Sequence, residues 1–197
     1  MKNKFLTFSY DDGVIQDRRL IALLDKYCLK ATFNISSGWL GQTHRFLWKG
    51  EEFTHQKVRQ GDVPTLYRNH EVAAHTLTHP KLPLLSDEEI LFQVEQDRKA
   101  LSDLVGYEVV GMAYPGATNN HDERTERIIK TRTGIRYCRT VDDSHSFAVP
   151  DNLYELRPTV HHLSPNALEL CRAFVELKSD EPQLLYIWGH SYELDLE

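Results

Sequence analysis

The stretch that decides the fold of this chain lies near its start: Phe5-Leu6-Thr7-Phe8-Ser9-Tyr10-Asp11-Asp12-Gly13. Its first half is apolar and rich in aromatic residues, which favours a β-strand. Two carboxylates follow at once, and Gly13 permits the backbone to turn after them. Because α/β folds gather their active sites at the carboxyl ends of their strands, this stretch predicts such a fold with acidic side chains at a strand end.

Strand and helix patterns alternate along the chain after this stretch. A helix near Asp17–Tyr27 and a strand near Ala31–Ile35 complete a βαβ unit with the first strand. The capping box Ser86-Asp87-Glu88-Glu89 predicts a helix that ends at Gly106. The segment 41–69 is polar and irregular, and we expect it to contain a helix at most and to help line a cleft. The other predicted strands lie near Phe5–Tyr10, Glu71–His75, Glu108–Tyr114, Tyr137–Thr140 and Gln183–Gly189, and the other helices near Asp122–Thr133 and Pro165–Lys178.

This alternation predicts an α/β protein whose mostly parallel strands are covered by helices. A barrel or barrel-like sheet would bring the strand ends to one rim. The length of 197 residues, with 41% hydrophobic residues, suits one domain over residues 1–197 with a single core. The seven residues after His190 leave little room for a final helix.

Composition and charge narrow the function classes. The chain has 23 basic and 29 acidic residues, a formal net charge of -6, and no dense Lys/Arg run. This argues against nucleic acid or a membrane as partner and favours a neutral or modestly charged substrate. No apolar segment suits a signal peptide or a membrane span, so we expect a cytoplasmic protein. Cys28, Cys138 and Cys171 are far apart and odd in number, which predicts buried thiols in a reducing compartment.

Asp11 and Asp12 are candidate functional residues. Successive side chains of an extended strand point in opposite directions, so the two carboxylates have different predicted roles unless the chain turns there. The alternative is a plain turn, since Asp-Gly is a common turn pair.

His75 and His79 form a candidate metal site. His75 ends a predicted strand and Pro80 disfavours helical geometry at His79, so a loop would bring both imidazoles round one ion. One Asp and two His are a ligand set that holds a divalent metal and leaves positions open for water and substrate. The alternative is a hydrogen-bonded histidine pair near the surface.

In this order, the motifs resemble those of the polysaccharide deacetylase family, the NodB-homology carbohydrate esterases similar to carbohydrate esterase family 4. The resemblance implies a deformed (β/α) barrel and a metal-dependent hydrolase that removes acetyl groups from N-acetylated sugars or polysaccharide. It implies Asp11 as the catalytic base. It implies a divalent metal, zinc first and cobalt, manganese or nickel otherwise, held by Asp12, His75 and His79.

Two further segments resemble parts of the family's site. The run Tyr186-Ile187-Trp188-Gly189-His190-Ser191 resembles the late strand that supplies the general acid, which implies that role for His190. The turn at Gly116 resembles the family's oxyanion donor, although a plain turn is the alternative. Tyr114 is a candidate for stacking on a sugar, and the alternative is a core position. Trp188 stands where the family often has a Leu lining the acetyl pocket, which leaves the acyl group open.

The sequence departs from the family pattern in two motifs. The third motif usually carries an Arg that orients the base, and the segment Met112–Gly116 has none. The Asp-x-x-Asp-Trp motif is also absent, which leaves Asp142, Asp143 or Glu193 as partners of His190. We expect each of these three to be a surface charge instead.

The adjacent residues His161 and His162 invite a metal interpretation. They follow the predicted strand Arg157-Pro158-Thr159-Val160, so one imidazole should face inward and the other solvent. We expect them to be structural or to line the substrate cleft.

Three other functions stay open. The chain could hydrolyse small cyclic or linear amides with the same metal, and the missing Arg and altered pocket suit that reading. It could be a sugar-binding module without catalysis, although Asp11 and His190 argue against this. A two-carboxylate glycosidase is the weakest alternative, because it would not need the paired histidines.

Overall fold

The computed structural model of the chain describes residues 3–48 and 51–196. Strand β1 (Lys4–Asp11), helix α1 (Asp17–Lys26) and strand β2 (Ala31–Ile35) form the predicted βαβ unit. The later elements are β3 (Thr43–Trp48), β4 (Glu51–Gln56), α2 (Val63–Leu66), β5 (Glu71–Ala74), α3 (Asp87–Val105), β6 (Gly111–Ala113), α4 (Glu123–Arg132), β7 (Tyr137–Arg139), β8 (Val160–His161), α5 (Ala167–Glu176) and β9 (Gln183–Gly189).

Seven strands form one parallel sheet in the order β7-β6-β5-β2-β1-β9-β8. The sheet curls into a half-barrel with helices against it, which confirms the predicted single-domain α/β fold. In the register of the central strands, Tyr10 lies opposite Phe33 on one side and Gly189 on the other. The residues that follow β1, β2 and β9 therefore emerge side by side at one rim.

Helix α3 shows why the core forms where it does. The Ser86 side chain accepts from the Glu89 backbone N–H, and the Glu89 carboxylate accepts from the Ser86 N–H at 2.8 Å, as the capping box predicts. Gly106 ends the helix with a left-handed φ of 77°. The apolar face packs on the sheet through its fully buried side chains, Ile90, Val94 and Leu101. Each such side chain contributes about 1.5–3 kcal/mol to folding.

The segment 41–69 is more regular than predicted. It contains the antiparallel hairpin β3–β4 and the short helix α2. Along β4, exposed Glu52 and Thr54 alternate with half-buried Phe53 and buried His55. The buried residue among these four is a histidine, so this part of β4 lacks the apolar pattern by which strands are recognised.

The three cysteines differ in their burial. Cys138 is buried as predicted, but Cys28 is exposed and Cys171 is half-buried, and all three are free thiols. Cys28 lies outside the core because it stands just beyond the end of α1 with a positive φ of 54°.

Among the described residues, no helix has both the length and the apolar character needed to cross a bilayer.

Candidate active site

The five residues predicted for metal binding and catalysis meet at one rim of the sheet. Asp11 ends β1, His75 follows β5 and His190 follows β9. These three line a cavity of about 460 Å³ together with Asp12 and His79. They meet because parallel strands place their carboxyl ends at the same edge.

Asp12 turns the chain at the end of β1. Its φ is 84° and that of Gly13 is 59°, both in the left-handed region that costs a non-glycine residue roughly 1–3 kcal/mol. A Cβ on Gly13 would lie 3.0 Å from the side chain of Ile35. Because of this turn, Asp11 and Asp12 do not point to opposite faces, and both carboxylates line the cavity.

Asp12, His75 and His79 form a group that fits a divalent metal. They offer ligand atoms that all lie within 4.8 Å of one another. The Nδ1 of His75 contacts the carbonyl oxygen of Ala113 at 2.9 Å, so Nδ1 carries the proton and Nε2 is left with a lone pair. Burial lowers the pKa of His75 to about 4, which keeps the imidazole in the neutral form that binds metals. His79 stacks on Trp39 with a distance of 5.4 Å between ring centroids.

Asp11 is held as a buried carboxylate. Its Oδ1 accepts hydrogen bonds from Asn34 Nδ2 at 2.8 Å and from the guanidinium of Arg139. Burial alone would raise the pKa of Asp11, but the positive charge of the Arg139 guanidinium outweighs this effect and holds the pKa below its usual range, with a smaller contribution from His190. Asp11 is therefore ionised at neutral pH and able to accept a proton.

His190 lies at the same cavity with one ring nitrogen engaged. Its Nδ1 is 3.2 Å from Glu193 Oε1, and its backbone N–H donates to Glu193 Oε2 at 2.9 Å. Burial opposes the imidazolium, but Glu193 and the carboxylates of Asp12 and Asp11 outweigh it and raise the pKa of His190. A histidine in this setting can donate a proton from Nε2.

A comparison with protein families gives this geometry a context. Residues 1–137 match the family described as polysaccharide deacetylase. The chain belongs to the polysaccharide deacetylase family. The matched region contains Asp11, Asp12, His75 and His79, whereas His190 lies beyond it. No curated protein sequence matches the chain significantly.

Solved structures of polysaccharide deacetylases share the fold. The Streptococcus pyogenes deacetylase PplD, in complex with acetate, is 18% identical, with a TM-score of 0.62 over 76% of this chain and 61% of that one. A polysaccharide deacetylase from Bacillus cereus is 17% identical, with a TM-score of 0.64 over 85% of this chain and 50% of that one. A Bacillus anthracis protein described as a CE4 family pseudoenzyme is 17% identical, with a TM-score of 0.58 over 99% and 58%. The chain thus spans half to three-fifths of the length of these proteins.

The arginine that contacts Asp11 comes from a different strand than the family motif leads one to expect. Arg139 is the last residue of β7, and Ala113 of the third motif pairs with it in the sheet. An arginine on either of these neighbouring strands has access to the same rim. The sequence interpretation missed Arg139, although a charged residue at the end of the predicted strand Tyr137–Thr140 was a usable signal.

Glu193 is a buried partner of His190, and its prediction as a surface charge is wrong. The short 3-10 helix Ser191–Asp195 folds the carboxylate back onto His190 three residues earlier. The His162 Nε2 lies 2.8 Å from Oε2, and the pKa of Glu193 is well below its usual range because these imidazole contacts outweigh the effect of burial. The contact depends on the turn of this helix. In the linear sequence the one available signal was that Glu193 stands three residues after His190.

Asp143 is also a structural acceptor and not a free surface charge. Its Oδ1 accepts from the Trp188 indole N–H at 2.8 Å and its Oδ2 from the His161 backbone N–H at 2.9 Å. Trp188 lines the cavity with one face covered by the Arg139 guanidinium, 4.7 Å from the ring centroid. Among the described residues, Asp142 takes no part in these contacts and is half-exposed.

The two residues predicted to bind substrate after β6 have different positions in the structure: one lines the cavity and the other lies in the core. Gly116 lines the cavity with a φ of 87°, and its carbonyl oxygen accepts from Asn120 Nδ2 at 3.2 Å. Tyr114 is fully buried, and its hydroxyl donates to the carbonyl oxygen of Tyr154 at 3.0 Å. Tyr114 is therefore a core residue, and its ring is not available for stacking on a sugar.

His161 and His162 both turn toward Glu193, contrary to the expectation that one faces solvent. Strand β8 ends at His161, so the alternation of side chains stops there. His161, His190 and Glu193 offer ligand atoms within 4.8 Å of one another. However, the Leu163 N–H donates to His161 Nδ1 at 3.2 Å, which places the proton of the neutral ring on Nε2, 3.2 Å from Glu193. We therefore interpret this cluster as hydrogen-bonded and not as a second metal site.

Proposed function

We propose that this chain is a metal-dependent hydrolase that removes acetyl groups from N-acetylated sugars. The observation that carries the proposal is the convergence of two sets of residues on one cavity. The group Asp12, His75 and His79 suits a divalent metal, and Asp11 and His190 lie beside it as base and acid. Membership of the polysaccharide deacetylase family supports an acetylated carbohydrate as the substrate class.

In this proposal Asp12, His75 and His79 would hold zinc or a similar ion such as cobalt, manganese or nickel. The ion would activate a water molecule and polarise the carbonyl group of the acetamide. The neutral ring of His75, fixed by its contact with Ala113, is suited to the ligand role.

The proton transfers are assigned to Asp11 and His190. Asp11 is ionised beside Arg139, so it can take a proton from the attacking water. His190 carries a raised pKa, so it can protonate the leaving amine. The contact of its Nδ1 with Glu193 leaves Nε2 as the donating atom.

The acyl group would lie between the turn at Gly116 and the indole of Trp188. Both residues line the cavity, and the position of the indole is set by its hydrogen bond to Asp143. A backbone N–H at the Gly116 turn would stabilise the developing oxyanion.

The test is acetate release from N-acetylglucosamine oligomers. Protein stripped with a chelator is assayed before and after addition of zinc, cobalt or manganese, beside Asp11→Asn and Asp103→Asn. Asp103 is an exposed carboxylate on α3 and serves as the matched control. We expect metal-dependent acetate release that Asp11→Asn abolishes and Asp103→Asn retains.

A second candidate function is the hydrolysis of small amides by the same residues. The wall formed by Trp188 favours it, since an indole leaves less room than the leucine typical of the family. Bound metal without acetate release, but with turnover of small cyclic or linear amides, would establish this second function. Metal binding without turnover of either class would indicate a binding module.

A further inference from the structure

A buried lysine contacts the carboxylate that is proposed as a metal ligand. Lys57 Nζ lies 3.1 Å from Asp12 Oδ1 and donates to the Asp12 backbone oxygen at 3.0 Å. The Lys57 side chain is only 1% exposed. Its ammonium group also lies over the ring of Trp39, 5.2 Å from the centroid, and Trp39 stacks on the ligand His79.

The position of Lys57 is set by backbone hydrogen bonds. It follows directly on β4, and an isolated bridge pairs it with Val14 in the segment that follows the Asp12 turn. The Val58 N–H donates to the Gly13 carbonyl oxygen at 2.8 Å on the same side. The hairpin β3–β4 is therefore attached to the turn that carries Asp12, and the lysine is placed by the fold.

Each aspartate at the end of β1 has a buried cationic partner, and Asp12 also lies beside an imidazole, since His55 Nε2 is 3.5 Å from Asp12 Oδ2. Arg139 donates to Asp11, and Lys57 donates to Asp12, and all four groups are buried. A buried carboxylate without a cationic partner is strongly unfavourable. The protein itself therefore compensates the negative charges of the two aspartates, without a metal. A divalent cation on Asp12 would add positive charge beside an ammonium group that is already there.

We infer that Lys57 substitutes for the charge of the metal: it holds the Asp12 carboxylate in its ligand position in the metal-free protein and lowers the affinity of the site for a divalent cation. The inference rests on the ligand set in the proposed function and concerns the positioning of Asp12. Two effects have the same sign. Lys57 competes for the lone pairs of Asp12, and its charge repels the incoming cation.

The effect of losing Lys57 on metal affinity distinguishes this role from a purely structural one. If Lys57 only supported the fold, its loss would weaken metal binding or leave it unchanged. If it substitutes for the metal charge, its loss should destabilise the metal-free protein and strengthen metal binding, because the cation then relieves an uncompensated carboxylate.

The experiment measures zinc binding and thermal unfolding in four chelator-stripped proteins: wild type, Lys57→Met, Lys57→Arg and Lys99→Met. Methionine preserves the length of the side chain without its charge, and arginine preserves the charge. Lys99 is an exposed lysine on α3, with 60% of its side chain accessible, and is the matched control. Zinc affinity is measured by calorimetric titration and Tm by circular dichroism with and without zinc.

We expect Lys57→Met to bind zinc at least about tenfold more tightly than wild type. Its Tm without zinc should fall, and the rise in Tm on adding zinc should exceed that of wild type. Lys57→Arg and Lys99→Met should bind zinc within about threefold of wild type, a span that matches the context dependence of single charges.

Three results would overturn the inference. The first is equal or weaker zinc binding by Lys57→Met, and the second is equally tight binding by Lys57→Arg, since charge would then not be the cause. The third is a Lys57→Met protein that stays unfolded with saturating zinc. Wild-type protein that binds no zinc, cobalt or manganese would instead remove the proposed metal function, which separates the two failures.

Discussion

The guanidinium of Arg139 donates a hydrogen bond to the carboxylate of Asp11 across 128 positions of sequence. The Arg139 side chain is fully buried, so the pair is shielded from solvent on both sides. Arg139 also covers the ring of Trp188, which lines the cavity. One side chain thus connects the proposed base to the wall that would face the acyl group.

Replacement of Arg139 by methionine should impair both activity and stability. Without the guanidinium the pKa of Asp11 rises, so the base is ionised only at higher pH and the acidic limb of the kcat/KM profile moves upward. The loss of one partner of a buried pair should cost about 3–5 kcal/mol of unfolding free energy. Urea unfolding and a pH–rate profile measure the two effects. Arg136→Met, which removes an exposed arginine, should leave both unchanged; an unmoved acidic limb in Arg139→Met would contradict the assignment.

Glu193→Gln should lower the pKa of His190. Contact with Glu193 helps to raise that pKa, so its neutralisation should deprotonate the imidazole at lower pH and move the basic limb of the kcat/KM profile downward. Activity above neutral pH should fall by roughly tenfold or more. NMR titration of the histidine ring protons measures the shift directly. Glu176→Gln, on α5, is the control, and an unchanged titration in Glu193→Gln would show that this contact does not set the protonation of His190.

Asp97→Asn should weaken the support of the His75 loop. The Asp97 carboxylate accepts from the backbone N–H groups of Ser37 at 2.7 Å and His75 at 2.8 Å. An asparagine has one acceptor oxygen, so one of these two hydrogen bonds is lost at a cost of about 0.5–1.5 kcal/mol, since the His75 N–H keeps a second acceptor in the Ile35 carbonyl oxygen at 3.1 Å. Thermal unfolding measures this loss, and metal affinity should fall with it.

The stability contributed by Asp97 should also depend on pH. Burial raises its pKa from 3.8 to about 7, so the folded state binds the proton more tightly than the unfolded state. That contribution is complete below pH 4 and is lost as the pH rises through 7. The difference in unfolding free energy between wild type and Asp97→Asn should therefore shrink across this range. A difference that grows with pH would show that the carboxylate is ionised in the folded protein.

Trp188→Leu should widen the range of acyl groups. The smaller side chain enlarges the cavity. The ratio of kcat/KM for N-propionyl over N-acetyl substrates should therefore rise by about tenfold. A ratio is used because loss of the indole also uncovers Arg139 and lowers both rates. Trp39→Leu, at an indole that packs on His79 instead, should leave the ratio unchanged. An unchanged ratio in Trp188→Leu would place the acyl group elsewhere.

Local patterns were sufficient for most of the fold. The strand Ala31–Ile35 and the strand Gln183–Gly189 have the predicted bounds, because continuous apolar runs between turns specify buried parallel strands. The capping box at Ser86 specified the start of α3. The hairpin β3–β4 was missed, since its strands pair with each other in a separate two-stranded sheet.

By itself the sequence determined that Asp11, Asp12, His75 and His190 stand at strand ends, because the side-chain pattern of a strand and the turn after it are local properties. Tertiary structure alone decided which charges surround them. Three charged side chains contact this site only because partners on other elements, or a helical turn, bring them there: Lys57, Arg139 and Glu193. Their burial is tolerated only because those partners are present. Compensation of buried charge depends on distances in space, and a linear sequence does not contain them.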